Sequence, residues 1–141
     1  TMSGITLDGT DQLSTSASGA NSWSATDARG TGAGWNLTIL ATDFTGGDPL
    51  RTIDISTATS EFKIQLLDAN VTVTAGNTKP VSQVTTLTPI PEITALKFLS
   101  AASDTGMGTY GIAPNFELEV EASVYAETYT STITVTAVTG P

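Results

Sequence analysis

Two-residue alternation is the feature that most limits what this chain can become. In Phe116-Glu117-Leu118-Glu119-Val120-Glu121, the apolar residues fall on one side and three carboxylates on the other. A pleated strand separates such residues onto two faces, whereas a helix would scatter them around its axis. The pattern recurs near the C-terminal end, where Ile133, Val135 and Ala137 share a face with Tyr129 and Ser131. Thr130, Thr132, Thr134 and Thr136 take the other face. Threonine is β-branched, so it suits a strand while staying wettable. Trp35, Leu37 and Ile39 alternate with Asn36, Thr38 and Leu40, and Phe62, Ile64 and Leu66 alternate with Lys63 and Gln65. Shorter runs at residues 53–55, 71–73, 81–86, 96–99 and 110–112 also read as strands. The segment 92–102 is the one rival for a helix; it follows two prolines without a cap and is read as a strand.

Turn chemistry separates these runs. Glycine, proline, aspartate and serine crowd residues 30–34, 46–49, 75–80, 89–91 and 103–108. Short alternating strands with such punctuation predict an all-β fold, an antiparallel β-sandwich of Ig-like or jelly-roll-like Greek-key type. The 141 residues suit a single domain with a real core.

The residues that are missing exclude much chemistry. There is no histidine and no cysteine, which removes Ser-His-Asp and Cys-His catalysis, thiolate sites and disulfides together. Zinc loses its usual ligands. Paired carboxylates could in principle serve a glycosidase, but Glu117, Glu119 and Glu121 read as the wet face of a strand, and no enzyme is expected. The net charge is −9, and Arg29, Arg51, Lys63, Lys79 and Lys97 are scattered, so nucleic acid is not an expected partner. No apolar run is long enough to cross a bilayer, and membrane insertion is not expected. No cofactor is expected apart from calcium, which takes oxygen ligands from loops. Its candidate ligands are Asp8, Asp11, Asp27, Asp43 and Asp48, each beside turn-forming residues, although none has EF-hand spacing. Gly30-Thr31-Gly32-Ala33-Gly34 leads into a strand rather than a helix, so it reads as a connection that permits close backbone approach and not as a phosphate cradle.

Two further groups carry binding expectations. Trp35 and Leu37 lie on the core side of their strand, while Trp23, set among serine and alanine, is expected to expose its ring as a surface for ligand. In residues 1–20, a polar extension, Ile5 and Leu7 alternate with Thr6 and Asp8, and Leu13 follows. Such a segment can form an edge strand of its own sandwich or be donated to the open sheet of a neighbour.

Three stretches read together resemble a known family. Asp27-Ala28-Arg29-Gly30-Thr31-Gly32-Ala33-Gly34-Trp35-Asn36-Leu37 resembles the first Trp-x-Leu segment of the WxL surface domains of bacteria. Gly106-Met107-Gly108-Thr109-Tyr110 with Phe116-Glu117-Leu118-Glu119-Val120 resembles their later strands, and residues 125–136 resemble the closing strand. Where the family carries a second Trp-x-Leu, this chain has Val135-Thr136-Ala137. The resemblance implies that residues 21–141 form a WxL-like β-sandwich exported to a bacterial cell surface, after removal of a signal peptide, and held to the wall without covalent linkage. Two functions are then expected. One is a non-enzymatic structural subunit, a homo-oligomer or polymer that builds a filament or surface layer by strand donation. The alternative is a module that binds a cell-wall glycan, with Trp23, Trp35 and Leu37 as its candidate contacts.

Overall fold

A computed structural model describes residues 1–16, 19 and 22–141. The strands are β1 (Gln12–Thr15), β2 (Trp23–Asp27), β3 (Trp35–Ala41), β4 (Phe44–Thr45), β5 (Thr52–Ile53), β6 (Phe62–Gln65) and β7 (Val71–Gly76). They continue as β8 (Val81–Ser82), β9 (Thr88–Pro89), β10 (Leu96–Ala101), β11 (Gly108–Ile112), β12 (Asn115–Val120) and β13 (Ile133–Thr139). One 3-10 turn, Asp68–Asn70, precedes β7. Every pairing among them is antiparallel. The sheets run β1-β12-β6-β9, β13-β3-β10-β8, β2-β11-β7 and the short ribbon β4-β5. The expected all-β sandwich is what forms.

Alternation becomes burial in β12, where Phe116, Leu118 and Val120 are buried and the glutamates between them are half-buried. That acidic row is not left to water. Lys63 on the neighbouring β6 donates to Glu119 at 2.6 Å and lies 3.1 Å from Glu61. These carboxylates raise the lysine's pKa, Glu119 most of all. Glu121 instead accepts hydrogen bonds from the hydroxyls of Thr59 and Ser60.

The aromatic residues join the sheets. Phe62 stacks on Phe116 at 5.5 Å, and Phe44 meets Phe62 edge-on at 5.0 Å. Strand β10 breaks simple alternation, because Phe98 and Leu99 are both fully buried. Its register against β3 shifts between Lys97 and Leu99, so Phe98 is the extra residue of a β-bulge. A bulge re-aims one side chain, which lets two consecutive residues enter the core.

Several boundaries depart from the expected ones. The run 81–86 keeps strand pairing in Val81–Ser82 alone, the run 53–55 pairs as Thr52–Ile53, and the closing strand begins at Ile133. Beyond these limits pairing is reduced to single contacts, such as Gln83 N–H to the Phe98 carbonyl and the Thr45–Thr130 bridge, instead of a continuous ladder. β2 was not anticipated, since Trp-Ser-Ala-Thr-Asp carries little β-branched character. It is held by β11, with Trp23 opposite Ile112 and Asp27 opposite Gly108.

Candidate functional site

A groove of ≈ 730 Å³ lies between two sheet edges, β2 on one side and β13 on the other. Trp23, Ala25 and Asp27 line the β2 wall. Ile133, Val135, Ala137 and Thr139 line the β13 wall, and Trp35, Leu37 and Ile112 form the floor. Two-residue periodicity places each wall set on one face of its strand.

Trp35 is a rigid floor residue. It is 6 % exposed, and its indole N–H donates to the carbonyl of Gly106 at 2.8 Å. A buried indole needs such a partner. Tyr110 lies beside it, ring centroids 6.4 Å apart. Gly34 makes the approach possible: its φ is +71°, and a Cβ there would stand 2.5 Å from the Ala101 carbonyl oxygen. The glycine-rich lead-in is therefore a site of close backbone approach, as expected.

Trp23 does not behave as expected. It is half-buried rather than exposed, packed against Phe98 at 6.1 Å and Phe116 at 5.9 Å. Pairing of β2 with β11 turns the ring inward, and part of it still borders the groove.

One end of the groove is closed by a polar strap. Arg29 Nε and Nη2 donate to Asp27 Oδ1 and Oδ2 at 2.9 and 3.0 Å. Nη2 also donates to the Gly34 carbonyl at 3.0 Å, and Nη1 to Thr139 Oγ1 at 2.9 Å. The bidentate fork is the geometry a guanidinium offers a carboxylate. Hydrogen bonds from the Arg29 side chain, and then from its backbone, push the Asp27 carboxyl down to about 2. The strap joins the connection after β2 to the far end of β13. Sequence reasoning missed it, although the Asp-x-Arg spacing before a glycine run was a readable signal.

Val135-Thr136-Ala137, which stands where the family resemblance expects a second Trp-x-Leu, also reaches this place. In the β13–β3 ladder Ala137 stands opposite Leu37, and Val135 opposite Ile39. Trp35-Asn36-Leu37 and Val135-Thr136-Ala137 are thus on adjacent strands.

The candidate calcium ligands do not converge. Asp8 accepts from Thr10 and Gln12, Asp11 from the backbone of Ala122, and Asp48 from the backbone of Leu50. Asp27 is held by Arg29. Asp43 accepts from the Ile55 N–H and lies with Asp54 and Glu92, their carboxylate oxygens within 4.8 Å of one another. Desolvation, and then repulsion from Asp43 and Asp54, raises the Glu92 pKa.

The N-terminal candidates lie elsewhere. Leu13 sits on β1, paired with Glu119 of β12, and is 55 % exposed. Ile5 packs against the core, Leu7 is half-buried, and Met2 bridges to Ser16. In the single chain this segment is an edge of its own sandwich. A smaller cleft of ≈ 270 Å³ borders Arg51, Glu121, Tyr125 and Tyr129, with the Arg51 guanidinium 4.1 Å from the centre of the Tyr125 ring.

Two of the stretches that carry the family resemblance line the groove, and the other stands behind its floor. The first supplies Asp27, Arg29, Trp35 and Leu37 and the last supplies Ile133 and Val135 to the lining, while the second supplies Gly106 and Tyr110, which hold Trp35 from behind. No helix among the described residues is long and apolar enough to cross a membrane. Neither the curated proteins nor the solved structures contain a match. The family comparison does match, over residues 8–141, and the chain belongs to the WxL domain family of surface, cell-wall-binding domains.

Proposed function

We propose that this domain binds a cell-wall glycan without catalysis or covalent linkage, and that the groove between β2 and β13 is its contact surface. The family match, together with a groove lined by the first and last family-like stretches, carries the reading. The chemistry suits a sugar polymer. Trp23, Ile133 and Val135 offer apolar surface to the carbon faces of a ring, while Thr26, Thr139 and the Asp27–Arg29 pair offer hydroxyl and charged partners at the rim. An exported, wall-bound domain exposed after loss of a signal peptide is the setting this implies.

Strand donation into a filament is the other reading of the sequence. It would require β1 to exchange its pairing with β12 of its own chain for one with a neighbour. The family match favours wall binding.

A sedimentation assay on isolated cell walls tests the proposal. The chain should co-sediment, and Trp23→Ala and Val135→Asp should each reduce the bound fraction several-fold while the far-UV spectrum is unchanged. Retention no greater than that of an unrelated protein of equal charge would refute wall binding. Full retention by both variants would move the contact away from the groove.

A further inference from the structure

The outer edge of β13 carries backbone hydrogen-bonding groups with no partner among the described residues. The ladder shows which ones. Thr42 N donates to Thr132 O at 3.1 Å, and Gly140 N donates to Gly34 O at 3.2 Å. Bonded residues alternate along an antiparallel strand, so the even-numbered residues of β13 bond to β3. Ile133, Val135, Ala137 and Thr139 turn their N–H and C=O groups to the open side.

Natural proteins protect such an edge with charge, proline, a bulge or a cover. Over Ile133–Val138 β13 has none of these, and at its end Arg29 reaches the side chain of Thr139. Its sequence Ile-Thr-Val-Thr-Ala-Val-Thr is uncharged, and its register against β3 is unbroken over seven residue pairs. Beyond Ile133 every residue is exposed, on both faces. The other long uncharged edge, β7, is interrupted by a register shift opposite Thr109 and Tyr110 and ends at Gly76 with φ +122°.

Charge decides the occupant. The charged residues lining the groove beside β13 are Asp27 and Arg29, which neutralise each other, so the net −9 of the chain lies elsewhere. Two copies repel through that charge and approach at least cost where they are neutral. An uncharged strand is the complement of an uncharged edge, and β13 is itself such a strand.

We propose that β13 pairs antiparallel with β13 of a second copy of this chain, in a two-fold register centred on Thr136. That register uses all seven residues. It sets Val135 opposite Ala137 of the second copy and Ile133 opposite Thr139 of the second copy, both at bonding positions. The groove-facing rows of the two copies then lie side by side on one face of a continuous sheet. The contact is isologous and closes at two copies. It goes beyond wall binding and stands without it. A single strand pair lies at the small end of specific interfaces, below ~1,200 Å² in total, so the association is weak and concentration-dependent.

Sedimentation velocity on the whole chain, from micromolar to millimolar concentration, tests it. The mass should double with concentration, and salt should favour the dimer by screening the like charges. Val135→Lys and Ala137→Glu should each remain monomeric, and an equimolar mixture of the two should recover a dimer, because the new charges face one another across the pair. Amide hydrogen exchange supplies a readout free of substitution. The amides of Ile133, Val135, Ala137 and Thr139 should gain several-fold protection as concentration rises, while those of Thr134, Thr136 and Val138 stay protected throughout. A single-copy mass at every concentration and salt overturns the proposal. So does assembly past two copies, or a dimer indifferent to both substitutions. Val135 serves both readings, so Trp23→Ala, which lies on β2 and off the paired edge, separates them: loss of wall retention by that variant with dimerisation intact concerns the wall alone.

Discussion

Arg29 Nη1 donates to Thr139 Oγ1 at 2.9 Å, across 110 residues of sequence, and so ties the connection after β2 to the last residue of β13. The same guanidinium holds Asp27 in a bidentate pair and caps the Gly34 carbonyl. One side chain therefore positions both walls of the groove and the entry to its floor.

Removing that side chain should cost more than removing its far contact. Arg29→Ala leaves Asp27, 8 % exposed, without its counter-charge, whereas Thr139→Val leaves the ion pair in place. A buried carboxylate stripped of its partner is costly, and the 37 % exposure of the Arg29 side chain moderates the loss by letting water reach the pair. In thermal melts Arg29→Ala should show the larger drop in midpoint, with Thr139→Val within a few tenths of the loss measurable for one exposed hydrogen bond.

Acid should expose the same pair. The folded Asp27 carboxyl titrates at about 2, against an ordinary 3.8, so its contribution to stability is complete above 3.8 and disappears as pH falls towards 2. Urea midpoints taken down through that window should show wild type losing its advantage over Asp27→Asn. An advantage that persists unchanged at the acid end would contradict the assignment.

The aromatic cluster offers a test of the core. Phe62 is 2 % exposed, stacked on Phe116 and touched edge-on by Phe44. Phe62→Ala should destabilise by about 3–5 kcal/mol through lost burial and the cavity left behind. Against a total of about 5–15 kcal/mol for an ordinary domain, the urea midpoint should fall by a large fraction.

Gly106 is the acceptor that fixes Trp35. Its φ is +69°, and an added Cβ would lie 2.3 Å from the Ala101 Cβ and 2.8 Å from the Trp35 indole nitrogen. Gly106→Ala should therefore cost more than ~1 kcal/mol and displace the ring. In a Trp23→Phe background, where Trp35 is the sole indole, the emission maximum should move to longer wavelength.

Calcium is expected to have no effect on the melting midpoint. Asp8, Asp11 and Asp48 spend carboxylate oxygens on nearby N–H and hydroxyl groups, Asp27 is committed to Arg29, and Asp43, already accepting from the Ile55 N–H, meets Asp54 and Glu92, three carboxylates where calcium takes six or more oxygens. Melts in chelator and in millimolar calcium should superimpose. A midpoint several degrees higher with calcium would mean a site that these residues do not form alone.

Much of the strand content was legible because apolar and polar residues alternate with the period of a strand. Phe116, Leu118 and Val120 became core, and the first Trp-x-Leu became a buried floor. Strand β10 was legible in kind but not in detail, since burying Phe98 and Leu99 together needs a bulge that only the partner strand defines. Trp23 was misread for a related reason. Its neighbours are small and polar, and the ring is drawn inward by Ile112 opposite and by Phe98 and Phe116 from other strands.

By itself the sequence determined the class of fold, the absence of histidine and cysteine chemistry, and the motif that marks the family. All three depend on residue type and near-neighbour spacing. The tertiary structure decided which edges remain open, which carboxylates meet a cation, and what lies beside the Trp-x-Leu segment. Those are contacts between residues far apart in the chain, such as Lys63 with Glu119, Leu37 beside Ala137 and Arg29 with Thr139. Local periodicity tells a residue which side of its strand it occupies. Only the order and register of strands tell it what lies opposite.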